Sequence, residues 1–125
     1  MARILVVDDS PTETHVFVNV LSKHGHDVMT AASGGDGIDM AGTEQPDVIL
    51  MDVVMPGMNG FQATRQITRN SGTSHIPVII VSSKGQDADR VWGVRQGASE
   101  YLTKPIDEKS LMRAVNDVLA DQLGA

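Results

Sequence analysis

Residues 48–56, with the sequence VILMDVVMP, constrain the fold of this chain more than any other stretch. Four apolar residues lead into Asp52, and Pro56 and Gly57 follow as a turn signal. A short apolar run bounded by turn residues is typical of a strand that is buried on both faces of a parallel sheet. In open α/β folds, ligands bind where such strands end. We therefore expect Asp52 at a binding edge and interpret it as a phosphate-accepting carboxylate.

Four further stretches have the length of strands and alternate with helical patterns. Together with the central run, the predicted strands cover residues 4–7, 27–32, 47–51, 77–81 and 100–103. Pro11 after Ser10 marks the start of the first helix, and Gly25 marks its end. Five strand–helix alternations predict an α/β fold, a parallel sheet with helices on both faces. The short loops leave no room for a second domain, so we expect one domain over residues 1–125 without an output domain.

The second predicted helix, residues 33–42, begins with three glycines at positions 34, 35 and 37. In a helix interior, each glycine is less favourable than alanine by about 0.8–1 kcal/mol. We therefore expect this helix to be short or loosely held.

Composition excludes several kinds of site and partner. The 125-residue chain has no cysteine, which excludes disulfides and thiolate metal sites. Its formal net charge of −6 argues against a broad nucleic-acid-binding surface. No signal peptide and no transmembrane-length apolar span is evident. We expect a soluble, cytoplasmic protein with neither a nucleic acid nor a membrane as its partner.

Polar residues follow four of the five predicted strands. Asp8 and Asp9 follow the first strand, and Asp52 follows the third. Ser82 follows the fourth strand, and Lys104 follows the fifth. Taken singly, an aspartate could cap a helix, a lysine could form a surface ion pair and a serine could be a loop hydroxyl. Because parallel strands end at one edge of a sheet, we expect all five side chains to converge, which favours a functional site.

This set of side chains suits phosphoryl transfer. Three neighbouring carboxylates repel one another, and a divalent cation would offset their charge. Oxygen ligands without cysteine or paired histidines favour Mg²⁺. Lys104 would add a second positive charge, and Ser82 could donate its hydroxyl to a phosphoryl oxygen. A carboxylate nucleophile beside a metal and a lysine is typical of phosphoryl transfer.

Along its whole length the chain resembles the CheY-like receiver domains of bacterial response regulators. The residues that carry this resemblance are Asp8, Asp9, Asp52, Ser82, Lys104 and Pro105, with the loop at residues 55–60. The resemblance implies a doubly wound, flavodoxin-like (βα)5 fold with strand order 2-1-3-4-5. Residues 91–105 are also similar to the single-domain regulators of twitching motility, the PilH type.

The resemblance implies a role for each residue of the site. Asp52 would take a phosphoryl group from a phosphohistidine on a CheA-like histidine kinase. Mg²⁺ would be bound by Asp8, Asp9, Asp52 and the backbone carbonyl of Val54. Ser82 and Lys104 would contact the phosphoryl group, and the peptide bond between Lys104 and Pro105 would be cis.

The resemblance also implies an output surface, formed by the fourth helix, the fifth strand and the fifth helix. Tyr101 would move inward with Ser82, and Trp92 would lie beside the partner-facing surface, although packing is the simpler role for a tryptophan. Gly93 weakens the fourth helix, as suits an element that rearranges. We expect a monomeric response regulator of a motility phosphorelay, for twitching or chemotaxis, and not an enzyme.

Three other functions fit fewer of these residues. A pseudo-receiver would bind partners without phosphorylation, and only the intact set of site residues argues against it. A small Mg²⁺-dependent phosphatase with an aspartate nucleophile would need a substrate pocket and a general acid near Asp52, for which the loops are too short. A flavodoxin-like cofactor carrier would need a phosphate-cradling loop where Asp8 and Asp9 would repel a phosphate.

Overall fold

Within residues 1–124, which the computed structural model describes with side chains through residue 122, five strands alternate with five helices. The strands are β1 (Arg3–Val7), β2 (Asp27–Ala31), β3 (Val48–Met51), β4 (Val78–Ser82) and β5 (Glu100–Thr103). The helices are α1 (Pro11–Lys23), α2 (Gly34–Glu44), α3 (Gly60–Arg69), α4 (Asp87–Arg95) and α5 (Glu108–Gly124). The predicted alternation is therefore confirmed, with strand ends that differ from the prediction by at most one residue.

The strands form one parallel sheet in the order β2-β1-β3-β4-β5. Val7 of β1 pairs with Met51 of β3, and Met51 pairs with Ile80 of β4, so these strands end nearly level with one another. The strand order reverses between β1 and β3, and a crevice opens at such a switch point beyond the carboxyl ends of the strands. The doubly wound α/β fold with strand order 2-1-3-4-5 is confirmed.

The core has two halves, one on each face of the sheet. Successive strand residues point to opposite faces, so Leu5 and Val7 enter one half while Ile4 and Val6 enter the other. Helices α2 and α3 cover the first face, and α1 and α5 cover the second. Nearly every residue of β1, β3 and β4 is buried, as continuous apolar runs predict for central parallel strands. No helix in the described part of the chain combines the length and apolar content needed to cross a membrane.

Helix α2 differs from the sequence-based expectation. It is 11 residues long, with Ser33 as its N-cap, and is not short. A Cβ atom on Gly37 would lie 2.8 Å from Cγ2 of Val7. Glycine at this position therefore lets α2 pack directly on β1, and this close packing offsets the low helix propensity of glycine.

Candidate functional site

Three aspartates meet at the carboxyl edge of the sheet. Asp8 and Asp9 follow β1, Asp52 follows β3, and one carboxylate oxygen from each lies within 4.8 Å of the others. Asp8 and Asp52 are buried, whereas Asp9 is exposed. The cluster forms because β1 and β3 are neighbours at the switch point. It offers three hard oxygen ligands from one side, with Asp9 open to solvent, which is the donor set that Mg²⁺ accepts.

Lys104 reaches across the same edge from the end of β5. Its Nζ atom donates hydrogen bonds to Asp52 Oδ1 at 3.1 Å, to Glu13 Oε2 at 3.0 Å and to Asp8 Oδ2 at 3.5 Å. The side chain is only 14% exposed. Its peptide bond to Pro105 is cis, as expected. One partly buried ammonium group therefore links the ends of β1 and β3 to the first turn of α1.

Ser82 and Tyr101 are connected through the backbone of Lys84. Ser82 is fully buried at the end of β4, and its Oγ accepts a hydrogen bond from the N–H of Lys84 at 3.1 Å. The hydroxyl of Tyr101 donates to the carbonyl of Lys84 at 2.5 Å. The Tyr101 ring is buried and stacks on Phe61 with 6.5 Å between ring centroids. Tyr101 therefore occupies an inward position.

Helix α4 lies directly on Tyr101. A Cβ atom on Gly93 would be 2.8 Å from Cδ2 of the tyrosine ring, so a larger residue here would displace the ring or the helix. Trp92 is about half-exposed, with Val91 and Val94 exposed beside it. Trp92 is therefore partly packed and partly exposed. Together with Val91 and Val94, it gives α4 an apolar outer surface.

Burial controls the acid–base behaviour of the cluster. Desolvation raises the pKa of Asp52 and of Asp8 above the ordinary aspartate value, although hydrogen bonds and the charge of Lys104 oppose this shift. Burial lowers the pKa of Lys104, but the carboxylates of Glu13 and Asp52 raise it more, so the net shift is upward. Independently of these shifts, four carboxylates lie around the single ammonium group of Lys104, and a divalent cation would offset their excess negative charge.

We expect Asp8 and Asp52 to make the magnesium-free protein less stable at pH 7 than at lower pH. Their pKa values are raised in the folded state, so as the pH falls the folded protein takes up these protons before the unfolded chain does. This gain in the free energy of unfolding is complete only below the unfolded value of 3.8. Urea unfolding of wild type and Asp8→Asn across this range measures the difference.

Other carboxylates, such as Asp107 and Glu108, have a lowered pKa and reduce the free energy of unfolding as the pH falls. Wild type and Asp8→Asn both contain them, so their effect cancels in the comparison. The variant should be the more stable protein at pH 7, and its advantage should shrink as the pH falls. An advantage that does not change with pH would contradict this account.

The structure brings Asp8, Asp9, Asp52 and Lys104 into one cluster, and it places Ser82 at the same edge of the sheet. The role of each residue stays a prediction, as does the use of the backbone carbonyl of Val54. Glu13 was missed by the sequence reasoning, although an acid in the first turn of a helix that follows Asp8 and Asp9 was an available signal.

The comparisons with known proteins agree with this geometry. The family model described as "Response regulator receiver domain" matches residues 4–116. Protein PilH from Pseudomonas aeruginosa is 62% identical over 120 residues, which cover 96% of this chain and 99% of that protein. Among solved structures, the chemotaxis protein CheY4 of Vibrio cholerae superposes with a TM-score of 0.89 and 30% identity, covering 95% of this chain and 99% of that one.

A further solved structure that is similar to this chain contains a metal ion. The receiver domain of the sensor histidine kinase PA1611 from Pseudomonas aeruginosa has a magnesium ion coordinated in its active-site cleft. It superposes with a TM-score of 0.88 and 28% identity, covering 95% of this chain and 98% of that one. Sequence, fold and site geometry thus lead to one conclusion: this chain belongs to the response regulator receiver domain family of two-component systems.

Proposed function

We propose that this protein is a cytoplasmic phosphoacceptor that takes a phosphoryl group on Asp52 from a histidine kinase in the presence of Mg²⁺. The observation that carries the proposal is that Asp52 belongs to the acidic cluster and also accepts a 3.1 Å hydrogen bond from Lys104. Asp8 shares both contacts, but its Oδ1 is already bound by the N–H of Ser10 at 2.9 Å. Asp52 is therefore the carboxylate best placed to react.

In the proposed reaction, a carboxylate oxygen of Asp52 attacks phosphorus and forms a new O–P bond. The bond between phosphorus and the kinase imidazole breaks, and its electron pair stays on the imidazole nitrogen. Bound by Asp8, Asp9, Asp52 and the carbonyl of Val54, Mg²⁺ would neutralise charge on the phosphoryl oxygens. Lys104 pairs with a phosphoryl oxygen, and the hydroxyl of Ser82 donates to another.

The proposed output passes from Ser82 to the surface around α4. Ser82 and Tyr101 share the backbone of Lys84, and Tyr101 packs against Gly93 of α4. If the hydroxyl of Ser82 turns toward a phosphoryl oxygen, it loses its hydrogen bond with the N–H of Lys84. This change would bias the position of α4. The receiving partner is a protein that binds the surface of α4, β5 and α5.

The similarity to PilH supports a motility pathway, in twitching or chemotaxis, with a CheA-like kinase as the phosphodonor. The chain would act as one monomeric receiver domain over residues 1–125, with output by binding and not by catalysis.

A phosphoryl adduct that depends on Mg²⁺ is the expected result of incubation with acetyl phosphate. The charge on the three clustered aspartates repels an anionic donor unless a cation is bound, so chelation should reduce labelling at least about 100-fold. Intact-protein mass spectrometry over time measures the adduct.

Labelling that persists equally without Mg²⁺ would contradict the proposal. If acetyl phosphate gives no adduct, a phosphorylated chemosensory kinase is the second donor. Failure with both donors would support a pseudo-receiver.

A further inference from the structure

Lys104 has three carboxylate partners, and the nearest one lies outside the aspartate cluster. Its Nζ atom is 3.0 Å from Glu13, 3.1 Å from Asp52 and 3.5 Å from Asp8. A lysine ammonium group carries three donor hydrogens. Three acceptors therefore occupy its whole donor capacity, and any phosphoryl oxygen that binds Lys104 must replace one of them.

The carboxylate of Glu13 can pair with Lys104 because it does not take part in capping helix α1. Ser10 and Glu13 have the spacing of a capping box, in which the glutamate would accept from the backbone N–H of the serine. Only half of that box is made, since Ser10 Oγ accepts from the N–H of Glu13 at 3.3 Å. The N–H of Ser10 donates instead to Asp8 Oδ1 at 2.9 Å. This bond leaves the carboxylate of Glu13 free to reach Lys104.

Glu13 is also the partner that can leave most easily. Asp52 would carry the phosphoryl group itself, and Asp8 is buried and held by Ser10. The Glu13 side chain is 44% exposed, so its carboxylate can return to water with a small loss. Glu13 lies in the first turn of α1, where the helix dipole favours a negatively charged side chain.

We propose that Glu13 is a positioning residue that occupies Lys104 in the unphosphorylated protein and yields it to the phosphoryl group on Asp52. It competes with the phosphoryl group for the ammonium group of Lys104 and so affects how readily Asp52 is phosphorylated. This inference rests on the proposed function, since it assumes that Asp52 accepts a phosphoryl group.

The test compares Glu13→Gln with Glu44→Gln as the matched control. Glu44 has a side chain with almost the same exposure, 45%, and pairs with Arg3 at the start of β1, away from the carboxyl edge. Both variants remove one negative charge. Affinity for beryllium fluoride with Mg²⁺, measured by fluorine NMR of the bound fluoride, reports how well the site holds a phosphoryl-like group without any transfer step. Labelling by acetyl phosphate, followed by mass, is the second readout.

We expect Glu13→Gln to bind beryllium fluoride about two- to fivefold more tightly than wild type, and Glu44→Gln to match wild type. The gain should persist at about 0.5 M salt, because Lys104 is largely buried, whereas a general repulsion of anions would be screened. Thermal unfolding of each variant confirms that it is folded.

If Glu13→Gln binds beryllium fluoride no more tightly than wild type, or if its gain in affinity disappears in high salt, the proposed role of Glu13 is overturned. The proposed function stands in that case as long as the wild type becomes labelled. A wild type that neither binds beryllium fluoride nor becomes labelled from any donor would overturn the proposed function, and this inference with it.

Discussion

Asp52→Asn is expected to remain folded and to lose its phosphoryl adduct under conditions that label the wild type. The amide has no carboxylate oxygen to attack phosphorus, so the initial labelling rate should fall at least about 100-fold, a lower bound for the loss of a nucleophile. Asp8 is a poor substitute because Ser10 and Lys104 already bind its oxygens. Intact-protein mass spectrometry over a time course with acetyl phosphate and Mg²⁺ measures the rate.

The same substitution should make the magnesium-free protein more stable at pH 7. Burial raises the pKa of Asp52, which means that the folded protein favours the neutral side chain, and asparagine is neutral at every pH. Increased stability combined with lost labelling would separate loss of the nucleophile from loss of the fold.

Asp36→Asn is the control, since it removes an exposed carboxylate from the first turn of α2. We expect it to label at the wild-type rate. If Asp52→Asn also labelled at that rate, the phosphoryl group would have to reside on another residue, with the exposed Asp9 as the first one to map.

Gly60→Ala is expected to destabilise the fold by at least about 3 kcal/mol, although alanine favours helices more than glycine does. A Cβ atom on Gly60 would overlap the carbonyl oxygen of Asp52 and lie 2.8 Å from Cα of Val53. Both are backbone atoms just after β3, so no side chain can swing aside. The N–H of Gly60 also donates to the carbonyl of Val53 at 2.9 Å, which holds α3 against this loop.

Urea unfolding followed by circular dichroism measures the change, and Gly42→Ala is the matched control. Gly42 lies within α2, and a Cβ atom there would meet nothing within 4 Å. That variant should gain up to about 1 kcal/mol from helix propensity alone. Wild-type stability for Gly60→Ala would mean that α3 can move away from Asp52 without loss, contrary to this account.

The sequence by itself determined the fold and the edge where the chemistry lies. Short apolar runs, turn residues and helix caps act over a few neighbouring residues, and parallel pairing places every strand end at one edge. For that reason Asp8, Asp9, Asp52, Ser82 and Lys104 could be predicted to converge.

Helix α2 shows the limit of predictions that consider only the local sequence. Helix propensity correctly ranks glycine as unfavourable, but propensity describes an isolated helix. In the folded chain, Gly37 lets α2 lie against Val7, and that packing offsets the unfavourable propensity. The same reasoning applies to Gly93, which was interpreted as a weak point of α4 and proves to be the surface on which Tyr101 packs.

Only the tertiary structure decided which side chains share Lys104, and how deeply each one is buried. Asp8 and Asp9 are neighbours in the chain, yet one is buried and the other exposed. Glu13 and Lys104 are 91 positions apart, and their contact exists because the start of α1 and the residues after β5 lie next to each other. Burial and long-range pairing depend on how distant elements pack, and no local pattern in the sequence contains that information.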